Sequence, residues 1–293
     1  MEHTEASAIA ELAVKGMESE VLERDGVTMV VMPRDRELRS IKSILDEHLK
    51  QPERRKGTAE AQELESLVEM VNRSKDTHSA LFADRDGPRL MGVINYNASG
   101  AEVSTSARWG DHRVVYNFPV SDAWQAWMAT SGTWISQADF AAFLEDHVTD
   151  VLDPSKASDV HRQLIEQVGG AFATPARLME LARGLTVNVN RKVSNQQNLA
   201  SGEAQLMFTE EHNDAKGKQL KVPSAFLLAL PVFRNGDLFK VVARLRYRVR
   251  EGTVTWSYAL HQTEQVFDVA FREACTKAQK GTKCPLYYGR PER

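Results

Sequence analysis

The chain has 293 residues, of which 42% are hydrophobic and 26% charged, so it can build one large core or two modest ones and is not a disordered polymer. Its 37 Lys+Arg and 40 Asp+Glu leave a net charge of -3, which excludes a whole-molecule pull toward nucleic acid or an anionic membrane. Cys275 and Cys284, with no CxxC and no nearby His pair, exclude a disulfide framework and a zinc site.

The start, Met1-Glu2-His3-Thr4-Glu5, has no basic region followed by an apolar core, so no secretory signal is expected. Ile9, Leu12, Ala13, Met17 and Val21 recur at helical spacing and predict an amphipathic helix over 5–23, ended by Asp25-Gly26. Val27 to Met32 has strand length, and Pro33 stops it. Leu38, Ile41, Leu45 and Leu49 mark a second helix. After the basic loop Arg54-Arg55-Lys56-Gly57, Thr58 is expected to cap a third helix with Leu64, Leu67, Val68 and Val71 inward. Residues 79–83 and 90–96 read as strands around the turn Asp84–Pro88, and Arg113 to Phe118 as a third, with Val114, Tyr116 and Phe118 on one face. Ser121 and Asp122 open a short helix carrying Trp124 and Trp127. Ser136 to Asp139 resembles a capping box, and the helix it opens is expected to run to Pro154 with Phe140, Phe143, Leu144, Val148, Val151 and Leu152 on one face.

Residues 153–174 are the expected break between an N-terminal α+β region, 1–153, and a β-rich region with a terminal helix, 175–293, or a soft place in one continuous domain. Pro175 to Gly184 reads as a helix. Val187, Val189 and Val193 alternate with polar residues, and with Ala204 to Thr209 they predict a long, polar hairpin around Ser201-Gly202. Phe226 to Phe233, a type I′ turn at Asn235-Gly236, Leu238 to Arg250, and Thr253 to Leu260 predict a three-stranded meander. Thr263 is expected to cap a last helix with Phe267, Ala270, Phe271 and Ala274 inward. Strand runs broken by helix pairs favour an α+β fold, with antiparallel sheets and packed helices, over a doubly wound sheet. The longest apolar run, Ala225 to Phe233, is far short of a membrane span, so cytoplasmic residence without membrane association is expected.

Charge is unevenly placed: residues 221–293 hold 13 Lys+Arg and 6 Asp+Glu, a net of +7, against -10 for the rest. Such halves attract each other within or between subunits, unless the clustering is only a pair of solvated faces. The strand 238–250 carries the sharpest pattern. Phe239, Val241, Ala243, Leu245, Tyr247 and Val249 point one way, and Lys240, Arg244, Arg246, Arg248 and Arg250 the other. Guanidinium groups recurring about every 6.8 Å suit a run of phosphates or carboxylates. The competing reading is a solvated face whose arginines pair with acidic neighbours on adjacent strands.

Other candidates are weaker. Arg54, Arg55 and Lys56, just before an expected helix N-terminus, form an anion site or an exposed linker. Trp109, Trp124, Trp127 and Trp134 fall within 26 residues, as core packing or as a stacking platform for bases. Asp146 and Asp150, one helical turn apart beside Glu145 and His147, are metal-ligand candidates, as is Glu210-Glu211-His212, though His147 continues the apolar face. No GxSxG, HExxH, Walker or GxGxxG motif is present, and no cofactor is expected.

Several of these stretches together resemble the YfdQ-like family of phage and prophage proteins. They are Trp109-Gly110-Asp111-His112-Arg113, Trp124-x-x-Trp127, and Trp134-Ile135-Ser136-Gln137 leading to Phe140, Phe143 and Glu145-Asp146. Arg54-Arg55-Lys56-Gly57, the Gly202 hairpin ending in Phe208-Thr209-Glu210-Glu211, and Leu245-Arg246-Tyr247-Arg248 complete the set. The resemblance runs over nearly the whole chain, with the tryptophan-rich stretch its specific part. It implies a phage-borne domain of unknown function, often encoded among early genes near recombination functions, with no catalytic residues to carry over. The leading expectation is a non-enzymatic, self-associating accessory protein, a homo-oligomer joined through sheet edges and the hairpin 185–210, serving assembly or counter-defence. The alternatives are a nucleic-acid-binding accessory to recombination or replication, which uses the arginines, and a metal-dependent hydrolase. An acidic protein surface is the other partner the arginines suit.

Overall fold

A computed structural model describes residues 15, 20–24, 27–31, 39–40, 47–100, 103–167, 170–184, 188–197, 204–213, 222–250 and 253–292. The chain divides into two units, residues 1–57 and 58–293.

In the first unit, β1 (Glu20–Arg24) and β2 (Val27–Val31) pair antiparallel, and β3 (Arg39–Ser40) adds to β2. The helix expected over 5–23 is corrected at its end: Lys15 is helical, Glu20 to Arg24 are strand, and the remainder lies outside the described residues. Arg24 faces Val27 across Asp25-Gly26, which is two-residue hairpin spacing. An Asp-Gly step between two strand-length runs specifies a hairpin more strongly than it specifies a helix end. The second expected helix is likewise strand at Arg39 and Ser40 and helical at Glu47 and His48, with 41–46 outside the described residues.

The second unit is an α+β arrangement of two five-stranded sheets, a two-stranded hairpin and seven α-helices, described between Leu64 and Thr282. One sheet has the order β15-β5-β6-β7-β4, with β4 (Gly57–Ala61), β5 (Ala80–Asp84), β6 (Arg89–Val93), β7 (His112–Asn117) and β15 (Leu286–Tyr288). The pairs β5–β6 and β6–β7 are antiparallel, whereas β15 returns parallel to β5. Thr58 lies in β4, not at a helix cap: helix α1 (Leu64–Ser74) begins after Glu63 and has no side-chain cap. Its stripe is as expected, with Leu67 and Val71 buried and Leu64 and Val68 packed against the core. Val71 presses onto β6 at Gly92, where an added Cβ would stand 2.6 Å from Val71 Cγ2. Gly92→Ala is therefore expected to destabilise the protein by about 1–3 kcal/mol through overpacking, measured by urea unfolding. A neutral result would mean that α1 does not rest on β6. Helix α2 (Val103–Ser106) is a single turn.

Helix α3 (Asp122–Thr130) is capped by Ser121, whose hydroxyl accepts from the Trp124 amide, and α4 (Gln137–Asp146) by Ser136, which accepts from the Asp139 amide. The Asp139 carboxylate takes the Ser136 hydroxyl at 2.6 Å, a variant of the expected reciprocal box. Helix α4 stops at Asp146, not near Pro154. His147 caps it, a 3-10 turn follows, and Val151 and Leu152 become strand β9 because Leu227 and Leu228 offer them backbone partners. Helices α5 (Asp159–Gln167) and α6 (Pro175–Gly184) precede a hairpin of β10 (Asn188–Gln197) and β11 (Ala204–Asn213), paired over ten positions. The expected side-chain alternation of that hairpin lies outside what is described.

The second sheet has the order β8-β14-β13-β12-β9 and is antiparallel throughout: β8 (Ile135–Ser136), β12 (Ala225–Pro231), β13 (Leu238–Arg250) and β14 (Thr253–Leu260). Its core is the expected meander, flanked by β8 and β9 from before residue 153. Strands from both sides of 153–174 thus share one sheet, and the expected break there is not where the chain divides. The type I′ turn is also corrected. Pro231 faces Leu238, so the loop has six residues, with Asn235 left-handed at φ 59 and the Gly236 amide bonded to the Phe233 carbonyl. Phe233 is buried and bridges Val120, which holds the chain in the core two residues longer than a tight hairpin allows. Helix α7 (Thr263–Thr282) starts after Gln262, which is left-handed at φ 53, so Thr263 is its first residue and not its cap. One continuous core joins the inner faces of both sheets to α1, α3, α4, α6 and α7.

Candidate polyanion-binding face

Strand β13 alternates strictly where it matters. Leu245 is buried, Tyr247 and Val249 are half-buried, and Arg244, Arg246, Arg248 and Arg250 are exposed. Residues directly opposite one another on paired antiparallel strands share a face. The neighbours of the four arginines on β14 are Ala259, Ser257, Thr255 and Thr253, and Arg244 also faces Ala225 on β12. None is acidic. Among the described residues, no carboxylate lies within ion-pair distance of these four guanidinium groups, although Arg85, Arg89, Arg108, Arg162, Arg177, Arg183, Arg234 and Arg290 all have such partners. On β12 and β14, therefore, no acidic residue stands in register with these arginines.

Strand β8 adds the next row: Ser136 faces Thr255, which brings Trp134 beside Arg248. The Arg248 guanidinium lies over the Trp134 ring, 3.8 Å from its centre, in a cation–π contact. This face therefore combines arginines, small hydroxyl side chains and one aromatic ring that is 37% exposed.

Lys240 is set apart from the arginines. Val242, on the same side of β13, is buried with Ala157, Ile165, Ala225 and Leu227 under the segment that carries α5. Beyond that cover, the Lys240 ammonium donates to the Lys156 carbonyl at 2.7 Å. His161 nearby is held below its ordinary pKa by burial and by the charges of Lys240 and His261. The expected ladder of five cations is thus four arginines in a row and a separate lysine.

The other candidates come apart. Arg54, Arg55 and Lys56 precede strand β4, so no helix N-terminus stands behind them and the anion-site reading loses its basis. Trp124 and Trp127 are buried, whereas Trp109 is 73% exposed and Trp134 flanks the arginines, so the four tryptophans are not one cluster. Asp146 and Asp150 do not share a helix turn. Asp150 accepts from Trp127 Nε1 at 2.8 Å, Glu145 pairs with Arg183 at 2.7 Å, and the His147 ring stacks on Phe143. No group of three or more His, Cys, Asp or Glu side chains that could hold a metal occurs among the described residues. Glu210-Glu211-His212 lie on β11, and their side chains are outside the description. Cys275 is a buried thiol pushed up to about 12 by desolvation, which leaves it protonated and unreactive at neutral pH.

Elsewhere, the carboxyl of Asp76 is held at about 2 by the hydrogen bond from Arg108, against a smaller opposing effect of burial. Its folded pKa lies below its unfolded value of about 3.9, so its contribution to stability is present above that pH and is lost as pH falls toward 2. A carbon-detected NMR titration should find Asp76 ionised at pH 3, and Arg108→Ala should return it to the ordinary aspartate range. An unchanged titration in that variant would show that Arg108 is not the cause.

Residues 2–291 match the model of a family described as uncharacterized conserved protein (DUF2303). No curated protein matches the chain, and no solved structure does. Among the described residues, no helix is long and apolar enough to cross a membrane.

Proposed function

We propose that the chain, which belongs to the DUF2303 family of uncharacterized conserved proteins, is a binding rather than catalytic accessory protein whose open β13 face holds the backbone of single-stranded nucleic acid. The observation that carries this reading is the row Arg244, Arg246, Arg248 and Arg250, exposed, with no carboxylate within ion-pair distance among the described residues. Four guanidinium groups at about 6.8 Å intervals cover about 20 Å, and a flexible strand can adjust its phosphates to that pitch. Ser257, Thr255 and Ser136 between them add no negative charge. Trp134 offers the edge of a stacking platform, the other ingredient of sequence-tolerant single-strand binding. The resemblance to YfdQ-like proteins supports a phage or prophage origin, cytoplasmic work in a bacterial host, and a role near recombination or replication.

The test is fluorescence anisotropy of the full chain with a labelled single-stranded DNA between 50 and 200 mM salt. Four phosphate contacts on a single strand give a log–log slope of about -3, which is a loss of about 50-fold over that range. Binding that ignores salt, or none at 50 mM, would falsify the reading; an acidic protein surface would then be the partner left to examine.

A second reading is self-association, favoured by the hairpin β10–β11. Among the described residues it pairs with no other strand, and a lone two-stranded hairpin is marginal in water. Light scattering on the intact chain and on a variant lacking 190–205 separates the readings: an oligomer that dissociates on deletion supports assembly, and a monomeric intact chain removes it.

A further inference from the structure

A cavity of about 410 Å³ opens between the first turn of α1, the end of β7, the loop before β13 with the first residues of β13, and α7, within the size range of small-molecule sites. The apolar part of its wall is built from Leu64, Phe118, Phe233, Phe239, Ala270 and Ala274, and polar residues make up about as much of the rest. The rings are fixed by their neighbours: Phe118 packs on Phe233 at 5.0 Å and edge-on to Phe271 at 5.1 Å.

The rim has an excess of negative charge. Glu63, Glu65, Asp237 and Glu273 line it, against Arg234 and Lys277. Lys277 is paired with Glu65 at 2.7 Å, and Arg234 is drawn off to Asp122 at 3.3 Å, so both cations are already engaged. The side-chain carboxylates of Glu63, Asp237 and Glu273 make no hydrogen bond or ion pair with any described residue. Tyr116 also lines the cavity. The residue is only 5% exposed, but its hydroxyl, which makes no hydrogen bond to a described residue, is not fully shut off from solvent. Burial, and then the charges of Glu65 and Glu63, push its phenol above the ordinary range. The hydroxyl thus senses the carboxylates at the rim, and its oxygen can accept a hydrogen bond from a ligand in the cavity.

We propose that this cavity binds a small organic ammonium ion with an apolar or aryl body. The body fills the space beside Phe118, Phe233 and Phe239, whose rings bury its apolar surface. The ammonium group donates to the Tyr116 hydroxyl oxygen and to Glu63 or Glu273. A matched carboxylate ligand is rejected, because it would bring a fourth uncompensated negative charge to Glu63, Asp237 and Glu273.

The experiment is protein-observed NMR and calorimetry on the full chain with phenethylamine, tryptamine and hexylamine, each against its isosteric carboxylate. At least one ammonium probe should bind saturably and shift resonances of Phe118, Phe233 and Ala274, with its carboxylate at least ten-fold weaker. Glu63→Gln with Glu273→Gln, both at the rim, should weaken that probe at least ten-fold and bring the pair of probes level. Ala274→Leu, which narrows the cavity beside the rings, should abolish binding, and a circular-dichroism melt shows whether each variant is folded. The proposal is overturned if no ammonium probe shifts those resonances, or if carboxylates bind equally well. It is also overturned if binding survives in folded Ala274→Leu.

Discussion

Replacing Arg244, Arg246 and Arg248 by serine together is expected to weaken single-stranded DNA binding by on the order of 100-fold at 0.1 M salt and to reduce the log–log salt slope from about -3 to about -1. The magnitude follows from counterion release. Each phosphate neutralised on a single strand contributes about 0.7 to the slope, and three of four contacts are removed. Folding should be nearly untouched. All three side chains are exposed, and among the described residues none is in an ion pair, while Arg248 stacks on Trp134. Surface changes of this kind stay within about 0.5 kcal/mol. Trp134→Ala supplies the complementary result: it removes a ring without removing a charge, so affinity should fall with the slope unchanged. If the triple variant keeps both affinity and slope, the anion is bound elsewhere and β13 presents only a solvated face.

Trp127→Ala is expected to cost about 3–5 kcal/mol, a large share of the stability of an ordinary domain, and to lower the melting temperature by roughly 10 °C. Trp127 is fully buried at the meeting of three elements. Its ring packs edge-on to Phe143 of α4 at 4.8 Å and to Tyr258 of β14 at 5.2 Å, and lies 5.8 Å from Phe226 of β12. Its carbonyl accepts from the Tyr258 hydroxyl at 2.8 Å, and its indole N–H donates to Asp150. Alanine leaves a cavity that these three rings cannot close. Trp127→Phe keeps a ring there and should recover most of the loss, although Asp150 forfeits its donor. Urea unfolding of the three proteins measures this. A loss below about 1 kcal/mol for alanine would mean that α3 is not docked on the second sheet.

Asp150 shows why a constellation read along a helix can mislead. Asp146 and Asp150 are four apart, which is one helical turn if the helix continues. It does not continue, because Val151 and Leu152 gain an edge position on β12, and the chain must leave the helical path at His147 to reach it. The indole of Trp127 then claims Asp150. The loop before β4 is a similar case. Thr58 is a good cap by residue type, but a place beside β7 in the first sheet takes the segment 57–61 into a strand. In both places a local preference worth about a kilocalorie yields to several backbone hydrogen bonds made to distant residues.

The sequence by itself determined what depends on near neighbours in the chain. It specified the α+β class, the meander 225–260, the helix from Pro175 to Gly184, the caps at Ser121 and Ser136, and the two faces of β13, because alternation and capping act over a few residues. Only the tertiary structure decided what stands opposite those faces. That Ser257, Thr255 and Thr253, not acids, flank the arginines is a matter of strand register, fixed by the burial of Trp256 and Tyr258 on the other side of β14. That Trp134 lies under Arg248, and that Glu63, Tyr116, Phe233 and Glu273 surround one cavity, depends on contacts between residues far apart in the chain. Such contacts are set by how the apolar surfaces of the two sheets and their helices are buried together, and that burial leaves no short-range pattern in the order of the residues.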